Sequence, residues 1–147
     1  MNEVKNLFNE DDELLFAELD RDQVKYTREN VIFITRDETG QIIWLETGNT
    51  IVGLTHILRR HANEFKESLK VEADQIPEYL KKVVTFGVVT SSTTGMRNGR
   101  LCVERIYLYD DEYHILTALG TNGFLVSAHP EGEKTTEKRE RRKRHET

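Results

Sequence analysis

Two sets of turn residues in the C-terminal half limit the fold more than any other feature of this chain. Asp110-Asp111 and Thr121-Asn122-Gly123 separate runs of β-branched, aromatic and aliphatic residues: Leu101 to Tyr109, Tyr113 to Leu119 and Phe124 to Ala128. Asn-Gly is the strongest short hairpin signal, because both residues tolerate the positive φ that a tight strand reversal needs. Connections this short leave no room for a crossover, so consecutive runs are expected side by side and antiparallel. Val88-Val89-Thr90 starts a further strand, Ser91 to Gly99 reads as a Gly/Ser/Thr-rich loop, and Pro130 closes the last strand. Val88 to Ala128 is therefore expected to form an antiparallel four-stranded meander.

The upstream half mixes helix and strand. Leu54, Ile57, Leu58, His61 and Phe65 fall at i, i+3, i+4, i+7 and i+11, one face of a helix over Gly53 to Lys66. Gln75 to Thr85 predicts a second helix, with Pro77 in its first turn and Ile76, Leu80, Val83 and Val84 as its apolar positions. Val31 to Thr35 and Gln41 to Leu45, joined by Asp37-Glu38-Thr39-Gly40, read as a hairpin. Val4 to Leu19 reads as one or two short helices, its apolar stripe interrupted at Asn9-Glu10-Asp11-Asp12. The expected fold is α+β: N-terminal helices and a hairpin, then two central helices packed on one face of the meander. A single globular domain is expected over 1–130.

Composition sets the outer limits. Hydrophobic residues make up 37% and charged residues 32% of the 147, enough apolar side chains for one core. No apolar run approaches the roughly 20 residues of a membrane span, and no signal peptide is readable, so a cytoplasmic protein is expected. Cys102 is the lone cysteine, which excludes an intramolecular disulfide and a Cys-rich zinc site. The net charge of −5 is unevenly placed. Residues 1–20 hold seven acids against Lys5, whereas the segment 131–147 carries Arg141-Arg142-Lys143-Arg144-His145 and reads as a charged, mobile tail. Such a basic run either holds a phosphate backbone or serves only solubility.

Titratable residues concentrate on the first central helix. His56 and Arg60 are four apart and share a face, while His61 lies roughly 140° round from His56, inside the apolar stripe. Chelation from one helix prefers i, i+4 spacing, so a metal site using both histidines is not expected. His61 reads either as a core histidine bonded to a strand or as an imidazole facing a cleft. On the strands, Arg105, Tyr107 and Tyr109 share one side, Tyr113, Ile115 and Thr117 share one, and so do Ser127 and His129. Aromatics at period two serve either half-buried packing or base stacking.

Taken together, Gly-Leu-Thr-His-Ile-Leu-Arg-Arg-His (Gly53 to His61), Tyr-x-Leu-Tyr, Tyr-His-Ile-Leu-Thr and Asn-Gly-Phe-Leu-Val-Ser-Ala-His-Pro resemble the phage-associated barnase-like nucleases. These belong to the barnase–EndoU–colicin–RelE group of small ribonuclease toxins. The resemblance spans Gly53 to Pro130 and departs at Ala128-His129, where the family commonly has an aromatic before the proline. It implies a barnase/RelE-like arrangement and metal-independent RNA cleavage without a cofactor, with His56, Arg60, His61 and Ser127 as site residues. One histidine would act as base and the other as acid. Arg60, with Arg105, would grip the phosphate, and Ser127 would orient the phosphate or a histidine. Tyr107 or Tyr113 would stack a base. The implied partners are RNA and a cognate inhibitor or immunity protein. The competing expectation is a non-catalytic phage or mobile-element accessory protein that uses the same scaffold to bind a protein.

Overall fold

A computed structural model of the chain describes residues 8–97, 99–119 and 122–131. The start of the expected N-terminal helix and the basic tail beyond Glu131 lie outside the described residues. In chain order the elements are α1 (Glu10–Arg21), β1 (Val31–Arg36), β2 (Ile42–Glu46), α2 (Gly53–Leu69), α3 (Ile76–Phe86), β3 (Val88–Arg97), β4 (Arg100–Tyr109), β5 (Glu112–Leu119) and β6 (Phe124–Pro130). The strands form one open sheet in the order β1-β2-β6-β5-β4-β3, antiparallel except where β2 meets β6. The fold is α+β. Among the described residues no helix is long and apolar enough to cross a membrane.

Local chemistry explains the helix starts. Asn9 Oδ1 accepts from the Asp12 amide (2.8 Å) while the Asp12 carboxylate accepts from the Asn9 amide (3.2 Å), a reciprocal cap. The acidic run Glu10 to Glu13 is thus the first turn of α1, where negative charge is favoured by the helix dipole. Asn9-Glu10-Asp11-Asp12 therefore caps and begins α1. Helix α3 keeps Pro77 in its first turn, where a missing N–H costs nothing.

Three expectations are corrected. First, Ser91 to Arg97 of the expected Ser91 to Gly99 loop is strand: β3 continues to Arg97, paired with β4 through Thr93↔Glu104, Thr94↔Val103 and Gly95↔Cys102. Weak intrinsic β-preference at Gly95 and the serines is overridden by the ladder β4 offers. Second, the β1–β2 hairpin does not stand apart from a four-stranded sheet. It enlarges the sheet to six strands. Third, helices cover both faces. Phe33, Ile43 and Leu45 pack with Ile57 and Phe65 of α2 and Leu80 and Val84 of α3. Their alternating neighbours Ile34, Ile42 and Trp44 pack instead with Phe16 and Leu19 of α1.

The β2–β6 contact is narrow. Its parallel register contains the single pair Trp44↔Phe124, supported by a 3.0 Å bond from the Trp44 amide to the Gly123 carbonyl. Beyond Phe124, β6 has β5 on one side and α2 packed against it. A bulge between Leu125 and Ser127 lets Val126 and Ser127 lie on one side, and leaves Leu125 and Ala128 in the α2–α3 core.

Glycine is required at this crossing. Gly123 has φ 92°, and a β-carbon there would sit 1.9 Å from the Ile42 carbonyl oxygen. Gly123→Ala is expected to lower stability by at least about 2 kcal/mol, from backbone strain together with the steric conflict. Urea denaturation followed through Trp44 fluorescence measures it.

Candidate acid–base site

Helix α2 presents its stripe to the sheet, and the same stripe carries His61 to β6. The His61 ring stacks on His129 of β6, with centroids 4.8 Å apart and planes 24° from parallel. His56, one and a half turns earlier, approaches His61 edge-on at 6.0 Å. Three imidazoles therefore meet along the seam between α2 and β6, all partly exposed.

Each of the three is tied by the same nitrogen. His56 Nδ1 donates to the Thr50 carbonyl (3.1 Å), His61 Nδ1 to Glu64 Oε1 (2.8 Å) and His129 Nδ1 to the Pro130 carbonyl (3.1 Å). Carbonyls and carboxylates only accept, so the proton is fixed on Nδ1 and Nε2 of each ring is left for exchange. Glu64 also stands 4.0 Å from His129 Nδ1. His114 provides the contrast. It is fully buried, donates Nδ1 to the Tyr107 carbonyl (3.3 Å) and accepts at Nε2 from the Tyr79 hydroxyl (2.6 Å). Burial holds it below the ordinary imidazole pKa, as a neutral structural group.

The His61 pKa is also lowered. Partial burial is the largest cause, Glu64 pulls in the opposite direction, and charge on His129 and His56 depresses it further. The ring is thus largely neutral near pH 7, beside a carboxylate that stabilises whatever positive charge it gains.

His56 forms part of the wall of an open cleft of about 800 Å³, whose lining includes Lys25, Trp44, Arg100, Phe124 and Val126. Among the described residues no group of three or more His, Cys, Asp or Glu is arranged to hold a metal ion.

The structure brings some expected residues together and not others. His56 and His61 are neighbours, and Arg60 is exposed on α2 at helical spacing from His56, without a carboxylate partner among the described residues. Ser127 is 4% exposed and shares the sheet side of His129, but no hydrogen bond joins it to an imidazole among the described residues. Tyr113 is half-buried on that same side, where β5 pairs Ile115 with His129. Arg105 and Tyr107 require correction, because both are committed to a buried carboxylate. The Tyr107 hydroxyl donates to Asp37 Oδ2 (2.6 Å), and Arg105 reaches Asp37 (3.3 Å) and the Gln41 side-chain oxygen. Tyr107 is 1% exposed, so its ring offers no face to a base. Sequence reasoning missed His129 and Glu64 as partners of His61. For His129 the available signal was its place two residues beyond Ser127, and for Glu64 its i+3 spacing from His61.

Compared with known protein families and with curated proteins, the chain matches none.

Glu64→Gln is expected to lower the His61 pKa further, because the variant loses the carboxylate that favours imidazolium while the burial that opposes it stays. Imidazole proton titration by NMR, on both proteins at low salt, measures the direction.

Proposed function

We propose that the chain is a metal-independent endoribonuclease that cleaves RNA by attack of a ribose 2′-oxygen on the adjacent phosphorus. The observation that carries this reading is the seam of three imidazoles, each tied at Nδ1 with Nε2 unengaged, beside an open cleft. His114, in contrast, is buried and held at both nitrogens. The resemblance of Gly53 to His61 and Asn122 to Pro130 to barnase-like nucleases supports the same reading.

In this mechanism His61 Nε2 takes the 2′-hydroxyl proton. Burial keeps the ring neutral and ready to accept, and Glu64 stabilises the imidazolium that results. The 2′-oxygen forms its bond to phosphorus as the bond from phosphorus to the 5′-oxygen breaks. His56, oriented by the Thr50 carbonyl, delivers a proton from Nε2 to that leaving oxygen. The products are a 2′,3′-cyclic phosphate and a free 5′-hydroxyl. Arg60, exposed on the His56 side of α2, offers its guanidinium to the phosphorane oxygens. His129 stacks on His61 and fixes its plane. Tyr113, half-buried on the same side of the sheet, contacts the substrate strand in this reading. Ser127 lies below this surface as a positioning hydroxyl.

The test is incubation with total RNA in excess EDTA, scored for cyclic phosphate ends. Cleavage by the intact protein and losses of about 10²–10⁴-fold in His56→Ala and His61→Ala are expected, with folding checked by circular dichroism. Equal cutting by intact and variant proteins would overturn the assignment. So would no cutting by the intact protein, which would leave the scaffold as a binding module.

A further inference from the structure

The geometry points to the 800 Å³ cleft beside His56 as a subsite for one unpaired nucleotide of the bound strand, with Lys25 and Arg100 as its phosphate contacts. This rests on the ribonuclease reading but concerns recognition and not the cleavage step. Charge carries the first part of the argument. The chain has 26 acidic against 21 basic residues, yet among the described residues no aspartate or glutamate lines the cleft, whose fully charged side chains are Lys25 and Arg100. Both are exposed, and neither pairs with a carboxylate among the described residues. An acid-free hollow in an acidic protein selects an anion.

Shape and surface carry the second part. Phe124, Val126 and Cys102 contribute apolar surface to the lining, and half-buried Phe124 is its accessible aromatic ring, backed edge to face at 6.0 Å by Trp44, which is itself buried. A flat, partly apolar group fits such a surface, and every base has a π-face to offer it. Asn49 supplies base-edge hydrogen bonding. Its Oδ1 is used on the Ile51 and Val52 amides (2.8 and 3.0 Å), so its NH₂ group is left to donate. Inorganic anions would use the two cations but not the Phe124 ring. Paired bases would keep their faces stacked inside the duplex and out of reach of Phe124.

Trp44 is the chain's only tryptophan and packs edge-on behind Phe124, so its emission responds to a base seated on that ring. The probe is an 8-nucleotide 2′-O-methyl RNA, whose blocked 2′-oxygen prevents cleavage and separates binding from catalysis. The single strand is expected to change Trp44 emission and to bind at least about tenfold tighter than the same sequence as a duplex. Arg100→Ala and Lys25→Ala, both at exposed positions, are each expected to weaken it by about threefold or more, with a smaller dependence on salt. Three results would overturn the proposal: equal or tighter binding of duplex, the same emission change with inorganic phosphate alone, or unchanged affinity in both variants. Because the probe cannot be cut, binding without any ribonuclease activity towards natural RNA would sink the catalytic reading and leave this one standing.

Discussion

The single pairing of Trp44 with Phe124 governs how the rest of the molecule is arranged. It attaches the β1–β2 hairpin to the C-terminal strands, entered through the close approach that Gly123 permits, and then stops. The part of β6 after Phe124 therefore has no strand beyond it, and α2 packs there with its apolar stripe. Had β2 continued along β6, a strand would occupy the place of the helix and His129 would face no imidazole. The candidate site is thus a consequence of an incomplete sheet. The backbone of β6 is ordered by β5, and its outer flank is left to side chains from α2.

A second anchor is the Asp37 carboxylate, whose side chain is sealed from solvent. It accepts from the Thr39 amide and hydroxyl (2.9 and 2.6 Å), the Gln41 amide (3.2 Å), the Tyr107 hydroxyl and Arg105. A carboxylate buried this deeply is tolerable only when its lone pairs are filled in this way. The network locks the hairpin turn onto β4 and explains why Arg105 and Tyr107 point inward. Tyr107 is held in its protonated form, chiefly by burial and then by the donated bond to Asp37.

Those two residues show where the sequence stopped being readable. Alternation placed Arg105, Tyr107 and Tyr109 on one side of β4, and that grouping is a local property of any strand. Which side faces the helices is set by elements more than twenty residues away, and here the polar-looking side is the one covered by α2 and α3. Periodicity was sufficient for α2, whose stripe is long and sharply defined. Composition failed for β3, because Ser91 to Gly95 become strand only through the partner that β4 supplies. The attachment of the hairpin through one residue pair left no sequence signature beyond Asn122-Gly123, a signal that reads as a turn and not as a crossing point.

The histidines mark a finer limit. Nothing in the local sequence separates His114, between Tyr113 and Ile115, from His129, between Ala128 and Pro130: both are single imidazoles in apolar strands. The difference lies in what surrounds each nitrogen. At His114 both are bonded, burial is complete, and the ring has no proton to trade. A fully exposed imidazole would have the opposite fault, with no orientation and no environment to bias its charge. The α2–β6 seam lies between these limits. Burial there favours neutral His61 and lowers its pKa, the carboxylate of Glu64 is close enough to stabilise its protonated form, and the two effects oppose one another at a single ring. That balance depends on a helix lying against the flank of one strand, which is the geometry the shortened β2–β6 contact creates.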